Sequence, residues 1–529
     1  MTMRVFIVSG QVRGLYGTGG LGDVAAALAK AVATRGDVEV RVVMLASANL
    51  TDGCNCIPVE LEVPLSGRAI RMKVYETYVP TSSPDEPLVR CHLLRPPSEL
   101  GIVEHDSAEE GILLSRGSVE LARSLPSFRP DVIHSNDWHA GLVAVYRDVV
   151  YADDADIGKV GVVFTTHNLG PAYQGAFSRP THIAWMAGLD RRGVLTPGTT
   201  RSVEHFDRFN FAKAGLGFSD LINTVSSTHA REIHLPAFAG GLHGVIRERD
   251  ADVSGIVNGL DIHEWNASCD DRLKDYKFSS SDSLEGIAAA KRGIRRLLRG
   301  HTAPDGTRPF ASVSQTTDDC LVGIVSRIDR QKVPIIMAAM HRLLAINEIQ
   351  IVILGDHHPK DDYGRFQADL LHRTAAESGG RLMFCQAWDI DLSHLVFAAS
   401  DMKLVASCWE PCGLTQLIGL RYGSVPVVRA CGGLADTVVD DSAGEHANGF
   451  TFKEPLIDES ETADVPKAAT LLISTMRRAV TVWSKNRERW FELIHNGMTR
   501  DSSWNKPAAA YVRLYHEARR RRIPHVPVG

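Results

Sequence analysis

The chain has 529 residues, beyond the size at which one hydrophobic core stops growing, so two large domains are expected. Hydrophobic content of 44%, charged content of 23% and a net charge of −5 describe an ordinary globular protein and give no ground for nucleic-acid binding. Any anion site must therefore be a local cluster of cations. No apolar run is long enough to cross a bilayer, which argues against a membrane partner. The opening "MTMRVFIVSGQVRG" has no small-residue cleavage site before its glycines and reads as a first buried strand. Nine scattered cysteines, with a lone C-x-C at Cys54 and Cys56, read as reduced thiols in a cytoplasmic protein and not as a metal set.

In chain order, "RVFIVSG" (4–10) is a strand leading through a glycine-rich turn to the helix "DVAAALAKAVATRG" (23–36). "VEVRVVML" (38–45) is the next strand, and 54–100 reads as a hairpin insertion of proline-punctuated strands. "PDVIHSND" (130–137), "VGVVFTTHN" (160–168) and "DLINTVSS" (220–227) are strands that each end in a polar cluster. Residues 266–318 are weakly patterned, with "APDGTRP" (303–309) as loop. A second alternation runs through "CLVGIVSRI" (320–328), "IQIVILGD" (349–356), "RLMFCQAW" (381–388), "DMKLVAS" (401–407) and "VPVVRACGG" (425–433). Continuous Val/Ile/Leu strands followed by helices predict an α/β chain of parallel sheets covered on both faces. Such sheets bind ligands at the carboxyl ends of their strands, and two doubly wound Rossmann-like domains would face each other across a ligand cleft.

Four stretches carry candidate chemistry. "GTGGLGDV" (17–24) joins a strand to a helix, and its glycines would let backbone amides approach an anion. A tight turn with no ligand is the competing reading. "RACGGLADTV" (429–438) repeats the design with Gly432 and Gly433. In "SRIDRQK" (326–332), Arg327 and Lys332 place two cations at a strand end; the plain reading is a solvated loop, the sharper one a clamp for a departing diphosphate. In "SCWEPCGLTQL" (407–417), Glu410 stands in a strand-to-helix loop. It could accept hydrogen bonds from sugar hydroxyls and stabilise positive charge at an anomeric carbon, or simply sit well at a helix start.

Taken together and in order, "TGGLGDV" (18–24), "NDWHAGL" (136–142), "THNLGPAYQG" (166–175), "FNFAKAGL" (209–216), "TVSSTHAREI" (224–233), "NGLDIHEWN" (258–266), "SRIDRQK", "EPCGLTQL" (410–417), "RYGSVPVVRACGGLADTV" (421–438) and "SWNKPAAAYVRLY" (503–515) resemble the bacterial glycogen synthases and plant starch synthases, retaining GT-B glycosyltransferases of family 5. The resemblance implies domains at 1–258 for the acceptor and 259–505 for the nucleotide donor. A helical tail at 506–529 would cross back to the first domain. It implies Arg327 and Lys332 as the diphosphate clamp, Glu410 beside the transferred sugar, His167 on the sugar's primary hydroxyl and Asp137 as an active-site acid. Donor contacts fall on Gly19, Gly20, Asp23, Asn258, Cys412, Gly413, Leu414, Gly432, Gly433 and Leu434. Trp388 stands where the family stacks an aromatic on the nucleobase. The family uses no metal or other cofactor; its substrate is a sugar activated by a nucleoside diphosphate.

The family pattern breaks at several positions. Its motif lysine before the glycine pair is Gly17 here, and its Ser-Glu after the first strand is Ser9-Gly10. The histidine loop is lengthened by Gly170 and Pro171; Cys431 replaces a threonine and Val333 a glycine. Changes gathered around the sugars, beside an intact clamp, suggest a retained nucleotide donor with an altered transferred unit or acceptor. The first expectation is therefore transfer of a sugar or a sugar-like cyclitol to a small sugar or amino-sugar acceptor in specialised metabolism. The alternatives are an ADP-glucose-dependent glycogen synthase extending an α-1,4-glucan, and a non-catalytic nucleotide-sugar-binding relative. Gly17→Lys is expected to improve handling of ordinary donors if the missing cation sets specificity. A homo-oligomer is left open.

Overall fold

The first strand, β1 (Met3–Val8), is apolar at five of six positions because it lies in the middle of a sheet with both faces covered. The computed structural model describes residues 2–17, 19–101, 107–303, 306–314, 319–454 and 461–523. Thr18 of the first glycine motif, Pro304 and Asp305 of the "APDGTRP" loop, and residues 524–529 of the expected tail lie outside them.

The remaining strands of the first unit are β2 (Val38–Leu45), β3 (Asn55–Leu65), β4 (Arg68–Tyr78), β5 (Arg90–Arg95), β6 (Val132–Asn136), β7 (Gly161–Thr166), β8 (Ala176–Ser178), β9 (Glu204–His205), β10 (Arg208–Asn210), β11 (Leu221–Thr224) and β12 (Val253–Gly255). Nine of them form one sheet in the order β12-β11-β7-β6-β1-β2-β5-β4-β3. The pairs are parallel from β12 to β5 and antiparallel between β5, β4 and β3. The stretch expected as an insertion is thus the edge of the main sheet. Its hairpin alternates exposed and buried residues because one face meets water. β8, β10 and β9 make a separate three-stranded sheet.

Chain contacts divide the protein into a unit of residues 1–259 with 503–529 and a unit of residues 260–502. The return to the first unit falls at Ser503, three residues before the expected position. The helix Asn505–Arg520 is tied into that unit by buried polar contacts. The Tyr515 hydroxyl lies 2.9 Å from His134 Nδ1, and His134 Nε2 lies 2.7 Å from the Thr165 hydroxyl. Asn223 Nδ2 donates to the Tyr511 hydroxyl at 3.0 Å. Burial lowers the His134 pKa to about 3, so the ring is neutral and bridges two hydroxyls without a buried charge.

The second unit carries β13 (Cys320–Val325), β14 (Ile349–Leu354), β15 (Leu382–Cys385), β16 (Met402–Val405), β17 (Val425–Arg429) and β18 (Phe450–Phe452). All pairs are parallel in the order β15-β14-β13-β16-β17-β18. The zone read as weakly patterned contains the helix Leu284–Gly300. Ser283 caps it by accepting from the Gly286 amide, and its core face is Ile287, Lys291, Ile294 and Leu298. Lys291 breaks the apolar stripe in the sequence. In the fold its ammonium donates to the carbonyls of Ala398, Ser400 and Tyr422 at 2.7 to 3.1 Å.

Strand order reverses between β1 and β6 in the first sheet and between β13 and β16 in the second. Loops diverge at such switch points and leave a crevice at the carboxyl ends of the strands. The glycine-rich turn and the Asp137 loop follow β1 and β6. The Arg327–Lys332 loop and the Glu410 loop follow β13 and β16.

Candidate active site

In the second unit, the loop after β13 is shaped by Asp329. Its carboxylate accepts from the backbone amides of Gln331 and Lys332, each at 2.9 Å, and pairs with the Arg327 guanidinium at 3.2 Å. Gln331 is buried and joins this loop to the next. It accepts from Arg327 Nη2 at 3.0 Å, donates to the Trp409 carbonyl at 2.9 Å, and its own carbonyl accepts from the Cys408 amide. Lys332 Nζ is bonded to the Glu410 carboxylate, and the Ser407 hydroxyl donates to the same oxygen at 2.8 Å. The carboxylate is 7% exposed and the Arg327 side chain 40%. The two cations and the acid predicted from separate motifs therefore meet at one switch point. Lys332 and Glu410 form a desolvated pair, while Arg327 reaches solvent.

The Glu410 loop rests on contacts that no local motif announces. Arg429, the last residue of β17, is buried and forks onto Glu454, with Nε–Oε distances of 2.8 and 3.1 Å. Its Nη1 also donates to the Cys408 carbonyl at 2.6 Å. Arg429 thus fixes the backbone two residues before Glu410. Its sequence signal was only a charged residue closing an apolar strand. Gly432 and Gly433 allow the helix Gly432–Thr437 to lie against residues 410–412; a Cβ on Gly432 would stand 1.9 Å from the Glu410 carbonyl oxygen. The Gly433 amide is shared between the carbonyls of Glu410 and Pro411, each at 3.1 Å. In this structure that amide holds the acid's loop, where the sequence suggested a phosphate donor. Leu434 is buried, and its amide is donated to the Cys431 carbonyl.

Gln416 closes the other side. It donates to the carbonyls of Cys412 and Gly413 and to the Thr437 hydroxyl, which places buried Cys412 and half-buried Leu414 in a fixed turn. Gly413 takes φ +71°, a left-handed backbone that favours glycine. Trp388 follows β15 with 58% of its surface exposed, an indole available for stacking.

In the first unit, Asp137 follows β6 with φ +53°. Its carboxylate accepts from the His167 amide at 2.7 Å, and His167 Nε2 lies 3.1 Å from Asn136 Oδ1. Burial raises the Asp137 pKa against the pull of His167, and burial lowers that of His167 against the pull of Asp137. The histidine loop, two residues longer than the family pattern, is anchored by buried Gln174, which donates to the carbonyls of Leu169 and Gly240 at 2.8 and 2.9 Å. Asn258 is buried, and its Oδ1 has no hydrogen-bond partner among the described residues.

Gly17 and Gly10, read from the sequence as departures from the family pattern, both lie close against neighbouring side chains. Gly17 has φ +90°, and an added Cβ would stand 2.7 Å from the Gln11 side chain. Gln11 also lies beside Gly19, the residue capping the helix Gly20–Thr34. Gly10 faces the His139 ring, 2.8 Å from where its Cβ would be. A side chain at either position would meet these neighbours. The turn keeps a cation of its own: Arg13 pairs with Asp23, and its amide bonds the Gly22 carbonyl. Gly17→Lys is therefore expected to fail as a restoring change. It should cost about 1–3 kcal/mol from backbone strain and crowding. Urea unfolding of the variant, with and without Gln11→Ala to make room, checks this; a midpoint equal to wild type would contradict it.

Two doubly wound α/β units in one chain, with charged groups at the carboxyl ends of their switch-point strands, make up a GT-B fold. A sequence model of the starch synthase catalytic domain matches residues 4–248. Glycogen synthase of Anaeromyxobacter dehalogenans (strain 2CP-C) is 34% identical over 518 residues, covering 97% of this chain and 99% of its own. Glycogen synthase of Pseudothermotoga lettingae is 32% identical over 532 residues, covering 98% and 100%. The catalytic domain of starch synthase IV from Arabidopsis thaliana, solved with ADP and acarbose, superposes with a TM-score of 0.81 at 27% identity, covering 98% of this chain and 99% of its own. The chain belongs to the glycogen and starch synthase family of glycosyltransferases.

Proposed function

We propose that the protein transfers glucose from ADP-glucose to the growing end of an α-1,4-glucan, with retention at the anomeric carbon and without a divalent metal. The observation that supports this most is the convergence of Arg327, Lys332 and Glu410 at the β13–β16 switch point, in a chain collinear with glycogen synthases. Two fixed cations would neutralise the departing diphosphate, and a carboxylate held by Ser407 would face the positive charge that grows on the sugar. Asp137 and His167, buried against each other, would hold the sugar's hydroxyls. ADP is the nucleotide in the related starch synthase IV structure, which supports the choice of donor.

Gly10 and Gly17 favour a second reading. Where the family carries an acid and a cation, this chain has the His139 ring and Gln11 packed into the space. That suits transfer of a sugar or an unsaturated cyclitol to a small sugar or amino-sugar acceptor. Incubation with ADP-glucose and glycogen separates the two. Sustained incorporation into polymer is expected on the first reading. No incorporation, with turnover on a small-acceptor panel, would replace it by the second.

A further inference from the structure

β16 carries a lysine among Met402, Leu404 and Val405. Lys403 is 1% exposed. It sits at the switch point itself, in register with Gly323 of β13. Its Nζ reaches the carbonyl of Val325, the residue just before the Ser326–Lys332 loop, at 3.4 Å, and stands 4.8 Å from the Phe397 ring centroid. The helix Thr415–Arg421 presents Gly419 to its stem. The groups set against it are thus a carbonyl from β13, a ring from the helix Ile390–Ala399 and a glycine from the helix after Glu410. No carboxylate pairs with Lys403 among the described residues, and Glu410 is engaged by Lys332 and Ser407. Burial, reinforced by the Lys332 charge, holds the Lys403 amine well below the ordinary lysine range.

We infer that Lys403 is a buried third base of the donor site, a positioning residue that takes up a proton when a nucleoside diphosphate settles on Arg327 and Lys332. The inference rests on the donor assignment proposed above. With the site empty, an ammonium buried at the base of the Ser326–Lys332 loop would have no anion to offset the cost of its desolvation. A bound diphosphate would reverse that balance, because opposite charges interact more strongly in a desolvated site than in water. The proton comes from solvent and forms an ammonium at Nζ; no covalent bond is made or broken elsewhere. Lys403 would then strengthen the clamp only when it is occupied.

Calorimetric titration of the full chain with ADP at pH 8, in two buffers of different ionisation enthalpy, reads the proton directly. ADP is fully ionised there, its last phosphate group titrating near ~6. Wild type is expected to take up protons on binding ADP, at most one per ADP, so that affinity falls as pH rises, by at most about tenfold per pH unit. Lys403→Met, an apolar replacement of similar length, is expected to bind ADP with no uptake and a flat pH profile. Binding without uptake in wild type overturns the inference and needs no variant to fold. Uptake that persists in Lys403→Met assigns the proton elsewhere and overturns it equally. If ADP does not bind at all, the donor assignment fails and this inference with it, an outcome distinct from the other two.

Discussion

Lys332→Ala is expected to lower kcat/KM for nucleotide-sugar transfer by about 10²–10³-fold, in the range seen when one preorganised charge-stabilising group is removed. Two losses combine. On the proposed function, the departing diphosphate would lose a point charge, and Glu410 would lose its cation, in a site where its carboxylate is 7% exposed in the intact protein. A desolvated carboxylate left with only the Ser407 hydrogen bond must draw in water or move, and either outcome would spoil the charge proposed to face the sugar. Lys332→Arg keeps the charge but not the compact geometry, so partial recovery is expected. Glu410→Gln separates the two roles. If Lys332 acts only through Glu410, the double variant should lose no more than Glu410→Gln alone. If it also binds diphosphate, the double variant should show a further rise in the Kd for ADP, measured by direct titration. A Lys332→Ala enzyme with unchanged kcat/KM would remove the clamp from the mechanism.

The legible part of this site was the part written in local chemistry. "SRIDRQK" reads as a strand end with two cations, and "EPCGL" as an acid at a helix start. Parallel-sheet logic puts both at carboxyl ends. The order of β13 and β16 in the sheet, which brings those loops side by side, follows only from tertiary pairing. Gln331 is a case in point. In sequence it is a polar residue between two basic ones, yet it bonds Arg327 and also reaches the Trp409 carbonyl, 78 positions further along the chain. Lys403 hid for the opposite reason: one lysine in a strand reads as an exposed edge residue, and only the covering helices show it buried. The helix Leu284–Gly300 was missed because its core face includes Lys291 and Arg295, whose charges are met by carbonyls and Asp401 elsewhere in the fold. Gly17 and Gly10 were visible as departures, but their meaning was not. Sequence showed a missing lysine; the structure shows Gln11 occupying its place.

Gly433→Ala is expected to damage the second unit severely. The added methyl would stand 2.0 Å from the Cys412 carbonyl oxygen and 2.4 Å from Cys412 Cα. Both are backbone atoms in a turn that Gln416 holds through two hydrogen bonds, so no side chain can rotate out of the way. Overpacking against side chains typically costs 1–3 kcal/mol, and rigid backbone on one side puts about 3 kcal/mol or more in prospect here. The alternative is that the helix Gly432–Thr437 moves away. The bond from the Gly433 amide to the Glu410 carbonyl would then lengthen, and the carboxylate would leave Lys332. Stability and activity should therefore trade against each other. A variant with a near-normal urea midpoint should show a large fall in kcat, and one with normal kcat should unfold early. Gly244→Ala is the control: it lies in the helix His243–Glu248, where an added methyl meets nothing within 4 Å, and should be neutral or stabilising by about 0.5–1 kcal/mol. A Gly433→Ala protein that keeps both its midpoint and its kcat would mean that the close approach of residues 410–412 is not what fixes the acid, and Arg429, which grips the Cys408 carbonyl, would carry that role alone.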